Sequence, residues 1–185
     1  YLDEFIEFKN IAEIQNPENK KLAAVFARAY TFLRAGKETI ERYSGFLTHH
    51  DFVPHNIRIK ERDIYLLDHT SIYFGNKYEG WARFLNFMLI HNPELERMLD
   101  EYVKVERGEG EYLALRLMRV YKIGFLLKYY AQALPKTEGD LHTLIVKRLE
   151  YWALALHLIL ADTPPSPEAR ERYLEARSVL RSPEE

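Results

Sequence analysis

With 185 residues, 47% of them hydrophobic, the chain carries enough apolar material for one large domain or one and a half small ones. A formal net charge of −2 argues against nucleic acid as a partner, and the absence of cysteine excludes disulfides and thiolate metal sites while agreeing with a reducing compartment. No apolar run reaches bilayer length, so a cytoplasmic protein with no membrane partner is the expectation.

The opening residues, Tyr1 to Phe8, alternate apolar and acidic side chains, and this predicts a strand over 1–8. Asn16-Pro17-Glu18-Asn19 is a helix start, and Leu22, Val25, Phe26, Ala29, Tyr30 and Leu33 then form one apolar stripe that ends near Gly36. Lys37 to Tyr43 predicts a short helix or turn, and Gly45-Phe46-Leu47 leads into Thr48-His49-His50-Asp51-Phe52-Val53-Pro54-His55-Asn56.

This stretch has the chemistry of a phosphoryl-transfer loop. Asp51 is a carboxylate able to orient a hydroxyl and take its proton during attack on phosphorus. Asn56 and, twelve residues later, Asp68 offer hard oxygen donors suited to Mg²⁺, while His49 braces the loop. Ile57-Arg58-Ile59-Lys60 and Ile64-Tyr65-Leu66-Leu67 flank Glu61-Arg62-Asp63 and predict a hairpin that joins Asn56 to Asp68.

The remainder reads as helical. Trp81, Phe84, Leu85, Met88 and Leu89 mark one helix up to Asn92-Pro93. A second runs from Glu94 to Val103, with Leu95, Met98, Leu99 and Tyr102 facing inward and Glu94, Glu96, Asp100 and Glu101 outward. Arg107-Gly108-Glu109-Gly110 predicts a loop, and Glu111 to Leu134 a buried helix that is apolar nearly all round. After a break at 135–140, Leu141, Leu144, Ile145, Leu149, Trp152, Leu156 and Ile159 stripe another helix. Thr163-Pro164-Pro165-Ser166-Pro167 predicts a stiff linker, followed by a charged helix over 168–180.

The motif His49-His50-Asp51 with Asn56, then Leu67-Asp68, then Gly75-Asn76-Lys77 seven residues beyond Asp68, resembles the aminoglycoside phosphotransferase and choline kinase family, small-molecule kinases with a protein-kinase-like fold. The resemblance implies a mainly α (α+β) large lobe over 9–162, helical with one or two short hairpins, and a linker with terminal helix over 163–185. It implies Asp51 as catalytic residue with His49 in support, Asn56 and Asp68 as metal ligands, and ATP and Mg²⁺ as cofactors. A nucleotide and a small hydroxylated molecule are the implied partners. It also implies that residues 1–8 are the strand between the lobes, with the backbone of Glu4, Phe5, Ile6 and Glu7 binding adenine and the small lobe upstream. Three positions depart from the family: His50 stands for Gly, Asn76 for Asp, and Gly80, beside Glu79, for a structural Asp.

Two other readings are open. The departures allow an inactive kinase-like scaffold. His49, His50, His55 and His69, close in sequence to three aspartates, allow a transition-metal phosphohydrolase, although Pro54 and the hairpin argue against the helix on which that His-Asp dyad sits. The acidic residues between Glu94 and Glu111 suit a cationic substrate or, more simply, a solvated helix face.

Overall fold

In chain order the elements are α1 (Leu2–Gln15), α2 (Lys20–Ala35), α3 (Lys37–Arg42), β1 (Phe46–His49), β2 (Ile57–Lys60), β3 (Asp63–Leu66), β4 (Ile72–Gly75), α4 (Glu79–His91), α5 (Pro93–Tyr102), α6 (Glu109–Ala133), α7 (Gly139–Leu160) and α8 (Pro167–Leu180). They are taken from a computed structural model that describes residues 1–164 and 166–180. The fold is mainly helical with two small antiparallel sheets, and no helix among the described residues is long and apolar enough to cross a membrane. Two compact units divide the expected single lobe: Ala35–Lys122, and Tyr1–Arg34 together with the chain from Ile123 onward.

The second of these units is built on aromatic packing. Residues 1–8 are not the expected strand: Tyr1 caps α1 and residues 2–8 are its first half. Phe5, Phe8 and Ala12 recur at helical spacing and are all buried, and Asp3 and Glu4 in the first turn suit the positive end of the helix. The alternation in eight residues was too short a window to distinguish the two periods. Phe5 packs on Phe26 at 5.6 Å and Phe8 on Phe125 at 5.6 Å. Gly124 makes room for this: a Cβ there would lie 2.2 Å from the Phe5 ring.

The helical backbone also removes the basis for the adenine strand at Glu4, Phe5, Ile6 and Glu7. Adenine recognition along a strand needs outward-facing peptide groups, whereas a helix turns them along its own axis, beginning with the Phe5 amide on the Tyr1 carbonyl. At the other end, α8 is held to α7 by Tyr173 stacked on Tyr151 at 4.7 Å, so residues 167–180 are a packed helix. Of the expected 163–185 segment, Pro165 and residues 181–185 lie outside the described residues.

In the unit Ala35–Lys122, β1 pairs with β4 from Phe46↔Gly75 to His49↔Ile72, and β2 pairs with β3 from Ile57↔Leu66 to Lys60↔Asp63, the predicted hairpin. Asn92 caps α5 by accepting from the Leu95 amide, with Pro93 in the first turn. The helix then continues as a π-helical turn over Val103–Arg107, so the expected loop at 107–110 shrinks to a break at Gly108, whose φ of +82° suits glycine.

The face of α5 is rotated from the apolar pattern. Met98 is 57% and Tyr102 45% exposed, Tyr102 stacking on an equally outlying Trp81, while Glu96 is buried. The reason is Arg119 on α6, itself buried, which binds Glu96 at 2.5 Å and Asp100 at 2.6 Å. Burial pushes the Glu96 carboxyl up and the guanidinium opposes the shift.

Candidate active site

The loop lies wholly within Ala35–Lys122. His49 ends β1, is buried, and points Nε2 at the Leu67 carbonyl 3.0 Å away. A carbonyl only accepts, so Nε2 carries the proton. This bond ties the start of the loop to the residue before Asp68. The His50 amide donates to the Ser71 carbonyl at 2.8 Å and the Leu67 amide to the Asn56 carbonyl at 2.8 Å, so Asn56 and Asp68 flank the open end of the β2–β3 hairpin.

Asn56 turns its amide nitrogen toward Asp51, donating to the backbone carbonyl at 2.9 Å and to Oδ2 at 3.2 Å. The side-chain oxygen of Asn56 is thereby the atom left for a metal. On the other carboxylate oxygen, Oδ1, Asp51 meets Nε of Arg83 at 2.8 Å. Arg83 was not singled out by sequence; its signal is the one-turn spacing of Arg83, Phe87 and His91 along α4.

Asp68 has φ +57°, a left-handed conformation that Asp tolerates better than most residues. Its carboxylate accepts from the Ser71 hydroxyl at 2.5 Å and the Thr70 hydroxyl at 2.6 Å, and these bonds hold its pKa below the ordinary value. Asp68 is exposed. An amide oxygen and a carboxylate are both hard donors, the class that suits Mg²⁺, an ion that keeps several waters and takes few protein ligands.

Beside the loop lies a buried ion pair that reaches His50. Glu79 is 1% and Lys122 4% exposed, and they pair at 2.7 Å. Glu79 also accepts from the Tyr73 hydroxyl and, at 3.2 Å, from the Asn76 amide. Lys122 donates to Nδ1 of His50 at 3.1 Å. Although His50 is exposed as a residue, partial desolvation of its ring and then the Lys122 ammonium lower its pKa. Asn76, fully buried, accepts from the Tyr78 amide at 3.0 Å and donates to the Ile40 carbonyl at 3.1 Å, anchoring the start of α4. Glu79, next to Gly80, is thus a buried acid held by Lys122, Tyr73 and the Asn76 backbone amide.

The histidines do not converge. His49 and His69 address the Leu67 and Leu66 carbonyls, His50 addresses Lys122, and among the described residues no group of three or more His, Asp or Glu has the arrangement of a metal site. The transition-metal hydrolase has no support in this geometry. Three of the acidic residues after α4 are engaged, Glu96 and Asp100 by Arg119 and Glu111 by Lys77 at 3.0 Å, Arg107 at 3.1 Å and the Tyr78 hydroxyl, while Glu94, Glu101, Glu106 and Glu109 are exposed. No family model matches the chain, and neither a curated protein nor a solved structure matches it.

Proposed function

We propose that the chain is a kinase-like phosphotransferase lobe that transfers the γ-phosphoryl group of ATP to a hydroxyl of a small molecule. The reading rests on the closure of one short segment. Asn56 clasps both the backbone and the carboxylate of Asp51, and His49 and the hairpin register bring Asp68 to the same end.

In this mechanism Asp51 has a lone pair left on each oxygen after its bonds to Asn56 and Arg83. It orients the acceptor hydroxyl and takes its proton as the oxygen attacks the γ-phosphorus and the bond to the ADP oxygen breaks. Asn56 Oδ1 and the Asp68 carboxylate would hold Mg²⁺, which supplies charge neutralisation on the phosphates. Arg83 and Asn56 fix the Asp51 rotamer, so the orientation of the base costs little at the moment of reaction.

The test is phosphate release from ATP by the full protein, with and without Mg²⁺, compared with Asp51→Asn and Asp68→Asn. Mg²⁺-dependent turnover that falls by about 10²-fold or more in both variants supports the assignment. Turnover that is equal in wild type and both variants, or absent together with any Mg²⁺-ATP binding, overturns it in favour of a scaffold.

A further inference from the structure

We propose that Arg83, Phe87 and His91 on α4, faced by His55 from the loop, form the acceptor subsite, and that it selects an acceptor carrying an anionic group, a carboxylate or a phosphate, besides its reacting hydroxyl. The proposal deepens the phosphotransferase reading and rests on it.

Positions 83, 87 and 91 lie one above another on a single helix face. Their neighbours trace the loop in parallel. Arg83 meets Asp51, Phe87 meets His55 with ring centroids 5.8 Å apart, and His91 stacks on Phe87 at 4.0 Å. A row of side chains, Arg83, then Phe87 with His55 edge-on to it, then His91 stacked on Phe87, therefore begins at the carboxylate assigned as base.

The two oxygens of Asp51 separate the flanks of the centre. Oδ2 faces Asn56, on the side of the metal ligands and hence of the entering phosphoryl group, and Oδ1 faces Arg83. An acceptor that shares Asp51 with the phosphoryl group lies on the Arg83 flank. Arg83 uses only Nε on Asp51 and is 27% exposed, and among the described residues its guanidinium has no second carboxylate. The terminal nitrogens form the fork that recognises carboxylate or phosphate in bidentate fashion. Of the acids after α4, Glu96 and Asp100 are bound by Arg119 and Glu111 by Lys77 and Arg107, and none of the contacts of Arg83, Phe87, His91 or His55 is with the exposed Glu94, Glu101, Glu106 or Glu109.

The experiment is a calorimetric titration of the full protein, without nucleotide, with glycerol 3-phosphate, D-glycerate and uncharged glycerol, on wild type, Arg83→Gln and Arg83→Lys. At least one anion should bind while glycerol gives no heat, and which anion binds distinguishes phosphate from carboxylate. Arg83→Gln should weaken that binding at least tenfold. Arg83→Lys keeps the ion pair to Asp51, and so the loop, but loses the fork; it should bind with intermediate affinity even if Arg83→Gln unfolds. Binding of neither anion, or anion binding unchanged in both variants, overturns the subsite. Since no nucleotide is present, failure here is distinct from failure of Mg²⁺-ATP turnover.

Discussion

The Asn56 side chain donates to Asp51 twice, to its backbone carbonyl at 2.9 Å and to its carboxylate at 3.2 Å, and so closes the loop between them. Asn56→Ala deletes both bonds and leaves a half-buried carbonyl without this donor. It should lower stability by about 1–2 kcal/mol. Asn56→Asp adds a carboxylate beside Asp51, so it should be at least as destabilising at neutral pH and recover in part as the pair shares a proton in acid. The urea midpoint of each variant at pH 4 and pH 7 checks both statements, and an unchanged midpoint for Asn56→Ala would show that the loop is held by other bonds.

Local order was legible wherever one period ran long enough. The stripe of α2 holds at Leu22, Val25, Phe26, Ala29 and Leu33, and the β2–β3 hairpin holds with its second strand one residue earlier than expected, at Asp63–Leu66. The all-round apolar reading of α6 is matched by burial from Ala114 to Gly124 on most faces. What escaped was set by partners distant in sequence. Glu96 goes inward because Arg119 waits for it, and Met98 and Tyr102 consequently turn outward, a result no hydrophobic period contains. At the site, the roles expected of Asp51 and Asn56 came from spacing, whereas the Arg83 pairing and the contacts among His50, Glu79 and Lys122 depend on which helix faces cross the loop.

Gly75 and Gly80 should respond oppositely to alanine. A Cβ at Gly75 would lie 2.6 Å from the Glu79 carboxylate, 2.8 Å from the Tyr73 ring and 3.0 Å from Thr48, so the buried network must shift to admit it. The expected loss is about 1–3 kcal/mol. At Gly80 the nearest atoms, on Phe52, His49 and Thr48, are 3.4–3.6 Å away, ordinary contact distances. Gly80→Ala in the first turn of α4 should be neutral or stabilising by up to about 1 kcal/mol through lower chain entropy. Thermal midpoints of the two variants measured side by side decide it.

Lys122 and Glu79 form a buried ion pair, and its value is best tested by breaking it and then removing it. Lys122→Met leaves the Glu79 carboxylate without its cation and should cost about 3–5 kcal/mol. Adding Glu79→Gln removes the stranded charge, so the double variant should regain part of that loss. A double variant no more stable than Lys122→Met in chemical denaturation would mean that Glu79 is stabilised by its other donors, Tyr73 and the Asn76 amide, and not by the lysine.

Histidine 50 gives the loop a pH dependence of known sign. Its folded pKa lies below the ordinary 6.5, first because partial desolvation of the ring penalises the imidazolium, although the residue as a whole is exposed, and next because the Lys122 ammonium repels it, with Arg83 adding to the repulsion and Glu79 and Asp51 opposing it. The unfolded chain therefore binds the proton more readily than the folded one. Stability from this group is complete above about pH 6.5 and declines as the pH falls toward the folded value. Denaturation midpoints between pH 7.5 and 5 should drop in the wild type and drop less in His50→Gln, whose side chain carries no titrating proton. Because the next residue is Asp51, Mg²⁺-dependent ATP turnover, on the proposed reading, should fall over the same range in the wild type. A wild-type midpoint that is flat across this interval would place the imidazole in a setting more open to water than its contact with Lys122 implies.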